Sequence, residues 1–472
     1  MDHLSTDVFQ DLVAWIDSDD LKNLRLTSKS LDSATEQAFW TTRPVKVIIS
    51  DEPGNETSLA KLEAFAAKPE SAGRIQRLEL DVSVQYLQKE ALGRCPEILG
   101  DGLRALKGLR SVSWKLLGDD PEWVSNTICE ALAALPLLSS LSIKASWMQD
   151  DLPPLPLHLF THGSLEQLSI FYPYKDPSLY VQPLQALLTN NPNLIQLDLQ
   201  FHPQFTLPVT PFSDLFTVAF SKPLRLESLT LVGWTVDFTA DVLPHIRGLR
   251  TLELLDRQEQ ISASYWNVLR SSNIHLRNII ACNPTSECLD YISSFSGLEI
   301  LQLHDAGMIA EQEETDRLAR KFYGEVLPRH RTTLKEVLIS SLGPEPWNLG
   351  AWNATAFDGC TELVSLSVNV GEDDILATED PEVNVVGTLV KHALTLLNLR
   401  TLTITPAFNP RGGGGMSFIA TGIGAVENVV ENLKLALKEP PSLTILIHGR
   451  RGKYIPEMVS EGEVRYKFVS DH

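Results

Sequence analysis

Aliphatic residues recur along the chain in a six-residue pattern, L-x-x-L-x-L, in which isoleucine or valine often replaces leucine. Positions four and six lie two residues apart, so on a strand both side chains face the same way, into a core. Positions three and five face the other way and are mostly polar, as in Ser140 and Ser142. Each copy therefore predicts one short strand with a buried and a solvated face. The thirteen copies start at Ile75, Leu109, Leu138, Leu165, Leu194, Leu226, Leu249, Leu276, Leu298, Leu334, Leu363, Leu399 and Leu443.

The segments between these copies have the pattern of amphipathic helices. Asp120-Pro121-Glu122 offers a capping residue, a proline at the first helical position and an acidic first turn. It predicts a helix over 122–135, and further helices are predicted over 312–326, 383–397 and 423–437. A strand followed by a helix, thirteen times, indicates parallel strands stacked side by side with the helices outside.

The thirteen copies resemble the leucine-rich repeat family, over about 45–448. The resemblance implies an α/β repeat solenoid, an irregular horseshoe with a parallel curved sheet. The asparagine that the family places shortly after the third leucine-type position is absent, and residues such as Ser146, Trp234 and Ala306 stand there. We therefore expect the family's side-chain ladder to be missing and the solenoid to be uneven.

The first 43 residues do not fit the repeat. Ser5 or Thr6 can cap a helix whose apolar side chains follow at helical spacing, and Asp20-Leu21 opens a second helix. A short polar and basic segment and the aromatic pair Phe39-Trp40 complete the pattern. It resembles the F-box, with Ser5 in place of the family's proline and Asp7 in place of its glutamate.

This second resemblance implies a short all-α F-box over 1–43, followed by the leucine-rich repeat solenoid over 44–472. In F-box proteins this segment binds a Skp-type adaptor and through it a cullin. The resemblance thus implies a substrate-recognition subunit of an SCF ubiquitin ligase, which selects a client and performs no chemistry. The adaptor-binding residues that it implies are Leu4, Val8, Leu12, Val13, Ile16, Leu21, Leu24, Leu26 and Leu31.

The alternative is an interaction scaffold in which the N-terminal helices only cover the open end of the solenoid, as every repeat array requires. About forty residues cannot bury a core of their own, so these helices need a partner surface under either hypothesis. An F-box leaves its apolar helix faces to the adaptor, whereas a cap buries them against the first repeats.

Residues that follow the strand motifs are the candidates for client binding, because they should lie at the rim of the sheet. Aromatic side chains anchor interfaces, and acidic or imidazole groups orient a ligand. The same rings could instead fold into irregular loops as core. The candidates are Phe171, Tyr172, Phe201, Trp234, Asp256, His304 and Asp305.

Charge and composition indicate which classes of partner the chain binds and in which cellular compartment it acts. The 472 residues include 40 Lys and Arg against 60 Asp and Glu, a net charge of −20. Such a charge disfavours nucleic acid and predicts a basic client. The five cysteines include no C-x-x-C pair, the first residues do not have the pattern of a signal peptide, and no apolar run is long enough to span a membrane. We therefore expect the cytoplasm or the nucleus.

No pattern in the sequence predicts chemistry. The glycine run over 412–415 is not followed by the lysine of a phosphate-binding loop, and the acidic run over 372–382 lacks the order of a calcium loop. The histidines are scattered. We expect no catalytic residue, no metal and no cofactor, and hence no enzyme.

Overall fold

The computed structural model describes residues 44–49, 57–82, 89–116, 120–146, 154–173, 176–202, 210–255, 264–307, 311–341, 345–378, 380–407 and 416–470. The predicted F-box, with all of its adaptor-binding candidates, lies outside the described residues, as do Asp256 and the glycine run over 412–415. The chain divides into two compact units, Met1–Gly248 and Leu249–His472, called here the first and the second unit.

Seven strands of the first unit form a parallel sheet beside a pair of two-residue strands. The strands are β1 (Val45–Ile49), β2 (Arg77–Val82), β3 (Ser111–Leu116), β4 (Ser140–Ala145), β5 (Gln167–Pro173), β6 (Gln196–His202), β7 (Thr210–Pro211), β8 (Ser228–Val232) and β9 (Trp234–Thr235). The sheet order is β1-β2-β3-β4-β5-β6-β8, and β7 pairs with β9. The helices are α1 (Thr57–Ala67), α2 (Pro69–Ala72), α3 (Lys89–Arg104), α4 (Glu122–Ala133), α5 (Val181–Asn190) and α6 (Leu243–Ile246). Three short 3₁₀ helices cover Leu157–Leu159, Pro177–Tyr180 and Phe212–Phe216.

The second unit continues the same strand and helix alternation and ends in a hairpin. Its strands are β10 (Thr251–Leu254), β11 (Asn278–Cys282), β12 (Ile300–His304), β13 (Glu336–Ile339), β14 (Ser365–Gly371), β15 (Thr401–Ala407), β16 (Thr444–Ile447), β17 (Gly452–Ser460) and β18 (Glu463–Ser470). Strands β10 to β16 are parallel neighbours in chain order, and β17 and β18 follow antiparallel. The helices are α7 (Ser264–Ser271), α8 (Ser286–Ser293), α9 (Gln312–Lys321), α10 (Leu327–His330), α11 (Glu372–Leu376), α12 (Val385–Ala393) and α13 (Met416–Asn432). A π-helix covers Phe322–Val326 and a 3₁₀ helix Glu345–Trp347.

The prediction of one strand for each of the thirteen copies is confirmed. In the first twelve copies the strand begins at position three. In the last copy, Ile445 pairs with Leu402, which is position four of the preceding copy. Ile445 is therefore also position four, and the last copy starts at Ser442, one residue earlier than the sequence indicated. The hairpin β17–β18 was not predicted; Gly462, with a φ of 81°, forms its turn.

The four helices predicted by range are present with different ends, but the prediction of a helix after every strand is wrong: in the described residues only 3₁₀ helices follow β4, β6 and β13. The helix predicted over 122–135 ends at Ala133, and the one over 312–326 becomes a π-helix at Phe322. The helix predicted over 423–437 ends at Asn432, because Leu435 leaves it to exchange two backbone hydrogen bonds with Val464 of β18, at 3.0 and 2.9 Å. Pairing with the hairpin therefore replaces the last helical turn.

The core lies on one side of each sheet, under positions four and six of the copies. In β5, for example, Leu168 and Ile170 are fully buried while Ser169 between them is half-exposed. Burying one such aliphatic side chain stabilises a fold by about 1.5–3 kcal/mol. The alternation seen in the sequence is therefore the main source of stability in both units.

A shared-carbonyl ladder joins neighbouring repeats, formed by the backbone carbonyl at position two of each copy. The carbonyl of Arg110 accepts hydrogen bonds from the N–H groups of Ser139 and Ser140, both at 2.9 Å. The same pair of hydrogen bonds to one carbonyl recurs at position two of the copies from Gln76 to Ile195 in the first unit and from Arg250 to Val364 in the second. The ladder fixes the register, so that position three faces position three in the strand pairs of these copies.

Four buried polar side chains bind the backbone near the start of a copy, at the other end of the strand from the position where the family has its asparagine. Each accepts a hydrogen bond from the N–H of a leucine at the start of a copy or two residues before it. The acceptors are Asn191 for Leu165 (3.2 Å), His245 for Leu224 (3.0 Å), Tyr291 for Leu276 (3.1 Å) and His330 for Leu298 (3.2 Å). Side-chain support of these turns is therefore present, but it comes from the segments between strands, where sequence analysis did not look for it.

Acidification should weaken the second unit through His330. Its Nδ1 accepts from the Leu298 N–H, so Nε2 carries the proton and donates to the Ile292 carbonyl at 3.0 Å. Burial, aided by the charge of Arg329, lowers the pKa of His330 below its ordinary value. Below a pH of about 6.5 the unfolded chain takes up a proton that the folded unit refuses, so stability falls as pH falls.

The expected loss is at most about 1.4 kcal/mol per pH unit for this one group. In His330→Asn an amide oxygen keeps an acceptor for Leu298, and thermal unfolding between pH 7.5 and 5.5 should show a smaller decline than in the parent. His448→Asn is the matched control, because it makes the same change at an exposed histidine. Equal pH slopes in the parent and in His330→Asn would refute the assignment.

Candidate interaction surface

The face of each sheet opposite its core is the candidate functional surface. It consists of the strand residues at positions three, five and seven of the copies, and we call it the open face of the unit. Most of its side chains are half-exposed or exposed. Because parallel strands lie about 4.8 Å apart, residues remote in sequence become neighbours there.

The open face of the first unit is polar and carries two neighbouring lysines. Lys115 on β3 and Lys144 on β4 are paired in register. The Lys115 ammonium lies 3.4 Å from the carboxylate of Asp81, and the Lys144 ammonium lies 5.5 Å from the centre of the Phe171 ring. A carboxylate thus stabilises the charge of Lys115, and an aromatic ring stabilises the charge of Lys144.

Further along the same face, Asp198 is a half-buried carboxylate. It accepts hydrogen bonds from Ser169 Oγ at 2.8 Å and from Gln200 Nε2 at 3.0 Å. Burial raises the pKa of Asp198, and the two hydrogen bonds oppose that rise. These bonds fix the position of the carboxylate.

The open face of the second unit has a different chemistry. Strands β10 to β16 contain no lysine or arginine. Half-exposed aliphatic side chains, Ile280, Ile300, Leu338 and Leu446, lie among polar ones. Gln302 donates to Glu336 at 2.5 Å. This face therefore offers apolar area and acceptors where the first unit offers cations and hydroxyls.

Two of the predicted client-binding residues lie on these faces. Phe171 is half-exposed on the open face of the first unit, beside Lys144. His304 is half-exposed on the open face of the second unit, at position seven, with Cys282 as its strand neighbour. Each occupies an odd position of its copy, where the strand turns the side chain away from the core.

The rim placement predicted for Tyr172, Phe201 and Trp234 is wrong, because all three are buried. Tyr172 and Phe201 occupy position eight, and β5 and β6 extend far enough for this even position to face the core. The two rings stack at 6.1 Å, and Phe201 meets Trp234 edge to face at 5.7 Å. The interpretation of these rings as core was therefore the correct one.

Asp305 is also not a rim residue. It is buried, follows β12 directly and has a left-handed backbone with a φ of 52°. The structure thus does not gather the seven predicted client residues into one site.

The residues that sequence analysis missed are Lys115 and the serines before it. Their signal is a repetition: Ser-x-Ser-x-Lys occupies positions three to seven of two consecutive copies, at Ser111 and at Ser140.

A cleft of about 480 Å³ in the second unit is lined by His275, Arg277, Glu299, Thr333, Lys335 and Glu362, among others. Glu299 accepts from Lys335 at 2.7 Å and lies 3.4 Å from Arg277. The hydrogen bond from Lys335, with the two positive charges, lowers the pKa of Glu299. The cations of this cleft are thus already paired with a carboxylate of the protein.

The described residues contain no group of three or more His, Cys, Asp or Glu side chains arranged to hold a metal ion. The five cysteines form no disulfide; burial raises the pKa of Cys95 and Cys360 to about 11 and that of Cys129 to about 12, so these thiols stay protonated. No helix in the described part of the chain is long and apolar enough to cross a membrane.

Comparison with known proteins gives little further information. No protein-family model matches the sequence, and no curated protein matches it. Among solved structures, the crystal structure of the Rad7 and Elc1 complex in yeast matches 85% of this chain and 87% of that chain, at 14% identity and a TM-score of 0.32. A likeness of that size carries no argument about function.

Proposed function

We propose that the chain is the substrate-recognition subunit of an SCF-type cullin ubiquitin ligase. The observation that carries the proposal is the F-box-like pattern of residues 1–43 at the head of a repeat array with a strand at each copy. A segment of about forty residues with a predicted helical pattern cannot bury a core alone, which fits a role in binding a second protein. The open face of each sheet, with its half-exposed and exposed side chains, fits a role in binding a client.

Each part of the chain has one task in this proposal. Residues 1–43 bind a Skp-type adaptor, which connects the chain to a cullin. The open faces of the two units offer side chains to the client, and the chain itself catalyses nothing. The protein acts in the cytoplasm or nucleus, where SCF ligases and their clients meet. The net charge of −20 predicts a basic client, although local charges decide which segment of a client docks at a given face.

The second candidate function is an interaction scaffold whose N-terminal helices only cover the solenoid. It shares the open faces with the first proposal and differs in residues 1–43 alone. The decisive measurement is therefore binding of the adaptor to this segment.

Leu24→Asp is expected to abolish capture of a purified Skp-type adaptor by the full chain. The change places a charge in an interface that must be desolvated, and an unpaired charge there costs several kcal/mol. Leu397→Asp is the matched control, because Leu397 of the second unit is 88% exposed. Capture, measured by size-exclusion chromatography of the mixed proteins, should be lost in the first variant and retained in the second.

Deletion of residues 1–43 should have the same effect as Leu24→Asp, with the circular dichroism of the repeats preserved. If the adaptor still binds after both changes, the F-box assignment is wrong. If the deletion instead unfolds the repeats, the scaffold with a helical cap is the better description.

A further inference from the structure

Two neighbouring strands of the first unit present the same side chains in register. β3 has Ser111, Ser113 and Lys115 on the open face, and β4 has Ser140, Ser142 and Lys144 opposite them. The residues between, such as Trp114 and Ile143, are buried and anchor both strands. We call these six side chains the serine–lysine grid.

The grid is available to a ligand. None of its four hydroxyl groups has a hydrogen-bond partner among the described residues. Lys115 and Lys144 are exposed, and each has the single flanking contact described above. Lys115 reaches toward β2 and Lys144 toward β5, so an extended segment with acidic groups at more than one position can contact both ammonium groups and the hydroxyls between them.

The charge around the grid differs in sign from that of the chain. On the open face of β1 to β4 the cations are Lys46, Arg77, Lys115 and Lys144, and the anions are Glu79 and Asp81. β3 and β4 themselves carry no acidic residue. Against a net charge of −20, this face is a local positive patch, and it would attract a negatively charged segment.

The immediate surroundings show which anion suits these groups. Asp81 pairs with Lys115, and Asp198 accepts from Ser169, the serine next to Ser142 on the neighbouring strand. A lysine and a serine of this face thus each bind a carboxylate of the protein itself. Arginine clusters are typical of phosphate recognition, and β3 and β4 contain none.

We infer that the serine–lysine grid docks an acidic peptide segment, rich in aspartate and glutamate, of a protein partner. The inference deepens the proposed function, because the partner would be the client. Its test needs no adaptor, so either proposal can fail without the other.

The test measures fluorescence anisotropy of labelled peptides with the full chain. Three twelve-residue peptides alternate glycine with glutamate, with lysine or with phosphoserine. The glutamate peptide should bind the parent, and Lys115→Glu with Lys144→Glu should weaken binding about tenfold or more. Lys434→Glu with Lys438→Glu is the control, because it makes the same charge change at exposed sites of the second unit and should leave binding as in the parent.

Ser113→Ala with Ser142→Ala should weaken binding without changing net charge. This pair therefore measures the contribution of the serine hydroxyls separately from that of the lysine charges. The inference fails if the glutamate peptide binds no better than the lysine peptide, or if the control pair loses as much affinity as the grid pair. Binding of the phosphoserine peptide alone would overturn it in favour of a phosphorylated partner. The melting temperature of each variant shows that the first unit remains folded.

Discussion

Replacing Phe201 with alanine is expected to destabilise the first unit by about 3–5 kcal/mol, the usual cost of removing a buried phenyl ring. Phe201 is fully buried and contacts Tyr172, Tyr180 and Trp234 through its ring. Alanine would leave a cavity between β6 and the segments on either side. Hydrogen exchange of peptides from β5 and β6 should therefore become much faster.

Phe171→Ala is the control for this prediction. Phe171 is a phenylalanine too and lies on the neighbouring strand, but on the open face, where its ring contacts Lys144. Its removal should change local stability by less than about 1 kcal/mol. If both variants destabilised the unit equally, the assignment of Phe171 to the surface and Phe201 to the core would be wrong.

Asn191→Leu should also destabilise the first unit strongly, by about 3 kcal/mol or more. The buried amide accepts from the Leu165 N–H and donates to the carbonyls of Phe160 and Leu187 at 2.9 and 2.8 Å. Leucine has a similar size but leaves three buried backbone groups without this partner. An unsatisfied buried polar group costs about 1–3 kcal/mol.

Asn193→Leu provides the comparison two residues away. This amide is exposed and makes one hydrogen bond, to the Gly163 carbonyl at 3.2 Å, so its loss should cost less than about 0.5 kcal/mol. The midpoint of urea unfolding, followed by circular dichroism, measures both variants. An Asn191→Leu protein as stable as the parent would mean that these buried bonds contribute nothing net.

The fold was largely predictable because strand formation here is a local property. Positions four and six are aliphatic in nearly every copy, and each strand is only four to seven residues long in the copies. Alternation over that length already determines which side is buried. The hairpin β17–β18 escaped prediction because it lies outside the leucine pattern. Its first strand has no clear alternation, since Ile455, Met458 and Val459 are exposed, but Val464, Tyr466 and Phe468 of β18 alternate with charged residues and were a usable signal.

The candidate surface was harder to predict, and the reason is strand length. The eighth position of a copy lies at the end of its strand or just beyond it. β5 and β6 reach it, which buries Tyr172 and Phe201, while Asp305 is buried although β12 ends at His304. The leucine pattern ends at position six and gives no information about these residues.

The two open faces suggest two kinds of contact on one chain. The first unit offers lysines and serine hydroxyls, and strands β10 to β16 of the second offer aliphatic side chains and no lysine or arginine. A client that used both would need an acidic segment and a separate apolar one. Variants restricted to one face would then weaken, but not abolish, capture of such a client.

The shared-carbonyl ladder has a consequence for how this kind of chain changes over evolutionary time. The ladder sets the register through backbone atoms alone, and the segment between two strands takes no part in it. Residues can therefore be inserted or deleted between copies while the strands stay aligned, provided that the apolar face remains covered. Descendants of one ancestor can thus keep the same sheet after their sequences have lost any measurable likeness.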